Sequence, residues 1–271
     1  MSSRDVHGGM TPGPAAILGL ADGREIFVKA VPTSATGSCR AYRREAVALA
    51  AMPAAAPAPA LIGSAEVDGW FALIMSRVVG VPAGPPWDDR GARLVAGACA
   101  AIGRLPAPAG VPRIAELVTD LDGWDRAEPL DDWEREHAPR LARMARRWPE
   151  WTAGASLVHQ DVRADNALIG AHTATLVDWS FGCAGASWLD GARLAADVVA
   201  GGHSGGPGAA LRMAEETLRA LPEGASRFVA ALAGMWRFRS TLPPPAGLPT
   251  LRSWQAARAR ALRPLLERLA G

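Results

Sequence analysis

Three short apolar runs, LVH at 157–159, NALIG at 166–170 and TLVD at 175–178, stand around the polar stretch QDVRAD, and this alternation constrains the fold more than any other part of the chain. Short apolar runs bounded by turn chemistry read as brief buried strands. The second and third form a hairpin that returns Asp178 to the neighbourhood of the 161–166 loop. Two rare residues sharpen the pattern. Asn166 is the only asparagine, and Lys29 is the only lysine, so the 29 Lys+Arg residues are one lysine and, by difference, 28 arginines. In a chain so averse to both residues, their presence hints at a chemical requirement.

The chain has 271 residues, 49% of them hydrophobic, enough to bury a sizeable core as one large domain or two small ones. A net charge of +2 creates no overall field that calls for nucleic acid or a membrane surface. Cys39, Cys99 and Cys183 are odd in number, far apart and without a C-x-x-C pair, which argues against a disulfide framework or a zinc site. MSSRDVHGGM holds no apolar signal core, and no run approaches the roughly 20 apolar residues of a membrane helix. A cytoplasmic protein is expected.

Along the chain, AAILGL and EIFVKAV flank the Asp22-Gly23 turn as a hairpin entered through GGMTPGP. AYRREAVALAAM, 41–52, reads as a helix ending at Pro53, and PAAAPAPA as a stiff extended connector. ALIGSAEV and WFALIMSRV form a second hairpin around Asp68-Gly69, and VGVPAGPP breaks regular structure. A boundary there gives a β-rich lobe, 1–78, and a mainly helical lobe, 79–271, hence an α+β fold. Within the second lobe, RGARLVAGACAAIGRL, residues 130–148 and the basic SWQAARARALRPLLERL have helical spacing.

Phosphoryl transfer to an alcohol needs cations on the phosphates, metal ligands and a carboxylate aimed at the attacking hydroxyl. His159, Asp161, Asn166 and Asp178 supply that carboxylate and two hard oxygen donors suited to Mg²⁺. A neutral amide oxygen completes a magnesium shell without setting another negative charge against a triphosphate.

HQDVRADN followed by VDWSFGCAGASWLD resembles the catalytic segment of the aminoglycoside phosphotransferases and related small-molecule kinases, which share the bilobal protein-kinase-like fold. GMTPG, 9–13, resembles that family's phosphate-covering loop, which implies Met10 and Thr11 near the phosphates and Lys29 as the phosphate-binding lysine. Glu45 would be its partner on the following helix. FALIMSRVVG resembles the hinge, where backbone groups of Ser76 and Val78 would meet the nucleotide base beneath Met75. The resemblance further implies that Asp161 orients or deprotonates the acceptor hydroxyl and that Asn166 and Asp178 hold Mg²⁺. His159 would brace the loop and Asp190 anchor it, although Asp190 equally reads as a helix cap. Arg163 stands where many protein kinases place a lysine facing the transferred phosphate, and so becomes a γ-phosphate contact.

Departures narrow the expectation. Gln160 replaces the arginine with which protein kinases read a phosphorylated activation loop, and the small-molecule kinases often have Gly there. Trp179 and Ser180 replace the Phe and Gly of D-F-G, which argues against a flipping switch. The acidic stretch Asp120–Glu136 is either part of an acceptor site for a polycation or a solvated charged face. The expected activity is Mg²⁺-dependent transfer of the γ-phosphate of ATP or GTP to a hydroxyl of a small molecule. The acceptor would be an antibiotic of aminoglycoside, nucleoside or macrolide type, with resistance as the outcome and no nucleic-acid or membrane partner. A metabolic sugar or amino-alcohol kinase and a catalytically silent nucleotide-binding protein are the alternatives.

Overall fold

The computed structural model of the chain describes residues 2–6 and 13–270. Strands β1 (Ser2–Asp5), β2 (Ala15–Gly19), β3 (Glu25–Pro32), β4 (Leu61–Val67) and β5 (Trp70–Ser76) form an antiparallel sheet in the order β1-β2-β3-β5-β4. Asp68 and Gly69 both have positive φ, 49° and 77°, the conformation a tight two-residue hairpin turn demands. Alternate residues of β5, Phe71, Leu73 and Met75, are buried against helix α1 (Thr36–Ala50). Register places Lys29 opposite Leu73 and Phe27 opposite Met75, so Lys29 and Met75 share that face.

The helical lobe begins with β6 (Val81–Pro82) and α2 (Asp89–Gly103), whose N-terminus is capped by Asp88 accepting from Gly91 N at 2.6 Å. Short helices α3 (Ile114–Leu117) and α4 (Gly123–Arg126) lead to α5 (Asp132–Ala145) and α6 (Trp148–Trp151). Strand β7 (Ser156–Val158) precedes the β8 (Ala167–Ile169) and β9 (Ala174–Leu176) hairpin, and β10 (Cys183–Gly185) pairs with β7. Helices α7 (Leu189–Gly201), α8 (Pro207–Arg219), α9 (Gly224–Arg239), α10 (Leu251–Ala261) and α11 (Arg263–Ala270) complete the lobe. The central helix α9 is buried without interruption from Phe228 to Arg237. A Cβ on Gly123 would lie 2.1 Å from the Gly234 carbonyl, so α4 meets α9 backbone to backbone and only glycine fits.

One apolar cluster fills the helical lobe, and a second runs from the sheet and α1 into α2, β8, β9 and Trp179. The second cluster joins the sheet and α1 to the helical part of the chain. α1 packs directly on residues 179–181, and truncating the fully buried Trp179 to Ala would cost about 3–5 kcal/mol.

Four of the differences from the sequence reading bear on packing; the short strands β6 and β10 are further additions. β1 adds an edge strand. α1 starts at Thr36 rather than Ala41, because burying Cys39 and Tyr42 draws the Gly37-Ser38 stretch into the helix. Residues 53–60 fold into turns instead of an extended connector, and Pro57 O accepts from Leu176 N at 2.9 Å, tying this segment to β9. The terminal basic segment is two helices, broken at Leu262 just before Pro264. No helix among the described residues is long and apolar enough to cross a membrane.

Candidate active site

The loop after β7 is held from beneath. Asp190, in the first turn of α7, accepts from the backbone N–H groups of His159 (2.8 Å) and Gln160 (2.9 Å). That is an anchor; its side chain does not cap α7. The buried His159 ring donates from Nε2 to Val177 O at 2.9 Å and accepts at Nδ1 from Asp161 N at 3.2 Å, which places its proton on Nε2. It meets Trp179 edge-on, with centroids 4.6 Å apart. One neutral ring thus braces the loop against the segment that leads to Asp178.

Asn166 Nδ2 donates to both the backbone O (3.0 Å) and the carboxylate Oδ2 (2.9 Å) of Asp161. The amide is therefore oriented with its oxygen away from Asp161, where Arg163 Nη2 lies 3.5 Å from it. Val177 N donates to Asn166 O at 2.9 Å, so the β8–β9 hairpin brings Asp178 beside Asn166. Asp178 itself sits at φ 64°, ψ 68°, a left-handed conformation that costs a non-glycine residue about 1–2 kcal/mol.

Lys29 reaches this group from the other lobe. Its Nζ lies 2.6 Å from Glu45 Oε2 and 3.3 Å from Asp178 Oδ1, 149 positions away, with the Tyr42 ring centroid at 4.6 Å. Burial works against the ammonium, but Asp178 and Glu45 together outweigh it and hold Lys29 above its ordinary pKa. Burial pushes the Glu45 carboxyl up, with Lys29 pulling back. For Asp178 burial also pushes up, but Lys29 prevails, keeping the carboxyl below the usual range and ionised at neutral pH.

Of the other expected nucleotide contacts, Met10 and Thr11 lie outside the described residues. Gly13 closes that loop at φ +144°, where a Cβ would fall 2.1 Å from Ala30 O. Met75 is buried on the Lys29 face. Ser76 N–H donates to Ala60 O at 2.8 Å and its Oγ accepts from Ala60 N at 2.9 Å, which ties it to the start of the β4–β5 hairpin. Among the described residues, Val78 makes no backbone–backbone hydrogen bond.

Arg163 forks onto Asp165 (3.0 and 2.8 Å) and lies 3.6 Å from Asp161 Oδ2, so it faces the loop interior as well as the cleft. Gln160, at φ +66°, explains why glycine suits this position; here the strain is offset by Arg193 Nε donating to Gln160 Oε1 at 3.0 Å inside the core. Part of the acidic stretch is paired with arginine. Asp120 pairs with Arg126 and Arg239, Asp131 with Arg263, Asp132 with Arg135, and the buried Glu134 with Arg237. Sequence reasoning missed Arg193 and Asp197. Their spacing from Asp190, three and seven residues along α7, puts all three on one helix face and was a readable signal.

The Asp178 carboxylate and Asn166 Oδ1, on chain segments joined by the Val177 N–H to Asn166 O bond, are hard oxygen donors of the kind that suits Mg²⁺ when phosphate oxygens and water complete its shell. Among the described residues no group of three or more His, Cys, Asp or Glu could hold a metal, so any ion here would be shared with a ligand.

The model of the Phosphotransferase enzyme family (APH) matches residues 16–226. The chain belongs to this family. It is a small-molecule kinase with the α+β bilobal kinase-like fold of the APH family. No curated protein matches the sequence. Among solved structures it is similar to a thermostable mutant of aminoglycoside phosphotransferase APH(4)-Ia, at 16% identity and TM-score 0.62, over 100% of this chain and 96% of the other. It is also similar to aminoglycoside phosphotransferase APH(3'')-Id from Streptomyces rimosus, in complex with ADP and streptomycin, at 19% identity and TM-score 0.57, over 84% and 94%. The amicoumacin kinase hAmiN, in complex with AMP-PNP and Ca²⁺, shares 8% identity at TM-score 0.53, over 95% and 88%. At these identities the likeness establishes the fold alone.

Proposed function

We propose that this APH-family kinase is a Mg²⁺-dependent O-phosphotransferase that moves the γ-phosphoryl group of ATP or GTP to a hydroxyl of an antibiotic and so confers resistance. One observation carries the reading: Lys29 from the sheet lobe meets Asp178 at 3.3 Å beside an Asn166 that clasps Asp161 at 2.9 Å. These contacts support one site holding the cation, the metal donors and the carboxylate.

Lys29, fixed by Glu45, holds the phosphates. Asp161 has Oδ2 engaged by Asn166 and presents Oδ1 to the acceptor hydroxyl. It orients that hydroxyl and takes its proton as the new O–P bond forms and the bond to the β–γ bridging oxygen breaks. Arg163 can turn from Asp165 toward the charge on the transferred group. Asp178 and Asn166 would hold Mg²⁺, which when bound neutralises charge on the phosphate oxygens.

The named ligand streptomycin belongs to the Streptomyces rimosus relative. In this chain the carboxylates of Asp120, Asp131, Asp132 and Glu134 already carry arginines, so a polycation would compete with built-in partners. This favours a hydroxylated antibiotic of low positive charge, of nucleoside or macrolide type, over an aminoglycoside.

The test is an acceptor panel run with each nucleotide, reading the mass gain of one phosphate. Phosphate on an antibiotic, lost in Asp161→Ala, is the expected result. Phosphate on a sugar or amino alcohol and on no antibiotic would favour the metabolic kinase; nucleotide binding without any product would favour the silent protein.

A further inference from the structure

Behind the catalytic loop lies a buried carboxylate that the reaction does not touch. Asp197, 3% exposed, accepts from Trp87 Nε1 at 3.0 Å, Ala164 N at 3.0 Å and Arg258 Nη1 at 2.6 Å. Its partners come from three places: the entry to the helical lobe, the turn between Asp161 and Asn166, and α10. Ala164 opens the 3₁₀ turn that ends at Asn166 and directly follows Arg163. One helical turn before Arg258 on α10, the Trp254 ring lies 4.9 Å from the Arg258 guanidinium and 5.6 Å from that of Arg163. The 163–166 turn is thus gripped from below by Asp197 and flanked by Trp254.

A buried ion pair is weak evidence of stabilisation, since a well-packed apolar replacement often does as well. The same lobe provides a comparison. Glu134 and Arg237 are equally buried, at 3.0 and 3.1 Å, but tie α5 to α9 and the 128–130 backbone and reach no atom of the catalytic loop. Asp197 differs because one of its three bonds ends on a loop N–H. A neutral side chain could not accept that bond and balance Arg258 as well.

We propose that Asp197, with Arg258 as counter-ion, is a positioning residue that fixes the 163–166 turn and thereby aims Asn166 and Arg163 into the phosphate site. It acts on the divalent cation through Asn166 and touches neither metal nor substrate. The role rests on the function proposed above.

The test reads metal-assisted nucleotide binding and needs no acceptor. AMP-PNP affinity is measured by calorimetry with and without Mg²⁺ for the full chain, Asp197→Ala, Asp197→Asn, Arg258→Met and the control Glu134→Gln. In Asp197→Ala the affinity gained on adding Mg²⁺ should shrink by about tenfold, the usual scale for groups that orient a metal ligand, while metal-free affinity stays unchanged. Asp197→Asn keeps the shape and an acceptor for Ala164 but turns an amide N–H toward Arg258, so its loss should be smaller. Glu134→Gln should lower Tm and leave the Mg²⁺ gain intact. If Asp197→Ala does not fold, Asp197→Asn and Arg258→Met decide. A wild-type Mg²⁺ gain in the Asp197 and Arg258 variants, or an equal loss in Glu134→Gln, would overturn the positioning role alone. No Mg²⁺ gain in the unaltered protein would overturn both this role and the functional reading.

Discussion

In the proposed site Lys29 and Asp161 stand on opposite lobes and are fixed by different forces. Lys29 is held by charge: two carboxylates, one on α1 and one 149 positions away, surround an ammonium 11% exposed. Asp161 is held by directed bonds, through Asn166, the His159 ring and a loop whose N–H groups end on Asp190 and Asp197. The nucleotide end should therefore respond to pH and tolerate small changes of shape. The catalytic end should respond to shape and remain stable when a single charge is removed.

Asp161→Ala gives the largest expected effect. Losing the general base should lower turnover by about 10²–10⁴-fold, while thermal melting stays near that of the unaltered protein because the anchors of the loop remain. A melt lowered as severely as the rate would break the comparison, since Asp161 would then be holding the loop rather than being held.

Lys29→Met comes next. Removing one partner of a buried pair typically costs about 3–5 kcal/mol, because Glu45 is left without its counter-charge. Burial pushes the Glu45 carboxyl up from 4.5 to about 7, against the pull of Lys29. The folded chain then keeps a proton that the unfolded chain releases, so this contribution is full below 4.5 and lost as pH rises through 7. Without Lys29 the carboxyl rises further. Melting of Lys29→Met should accordingly keep falling above about pH 7, where the contribution of Glu45 in the unaltered protein has levelled off. Parallel pH profiles would show that Lys29 is held by shape after all.

The same contrast accounts for what could be read in advance. Lys29, Asn166, Asp161 and Asp178 were legible because rarity and short spacing mark them, and both N-lobe hairpins because Asp-Gly turns are local chemistry. The 53–60 turn was not, since proline favours extended backbone locally and the Leu176 N–H that ties Pro57 O to β9 lies far along the chain. The tie between Ser76 and Ala60 was equally hidden, because Ala60 stands 16 positions earlier across a hairpin. Asp197 was invisible as a grip on the loop because Trp87, Ala164 and Arg258 meet only after three elements have packed. Local rules and the family resemblance find the groups that act and some that hold them, Glu45, His159 and Asp190, whereas only packing reveals Asp197 as one of them.

The smallest expected effect concerns Gln160, where strain and bonding oppose each other. Its φ of +66° carries about 1–2 kcal/mol of left-handed strain that glycine would relieve. Its Oε1, however, accepts from the buried Arg193 at 3.0 Å, and a hydrogen bond to a charged group contributes about 1.5–3 kcal/mol. Gln160→Gly removes both and should destabilise by roughly 1 kcal/mol in denaturant unfolding. Gln160→Ala removes the bond but keeps the strain, and should destabilise by about 2 kcal/mol. The order matters more than either value. If Gln160→Gly proved more stable than the unaltered protein, the Arg193 bond would be weaker than the strain, and the catalytic loop would owe its geometry to Asp190 and His159 without help from α7's arginine.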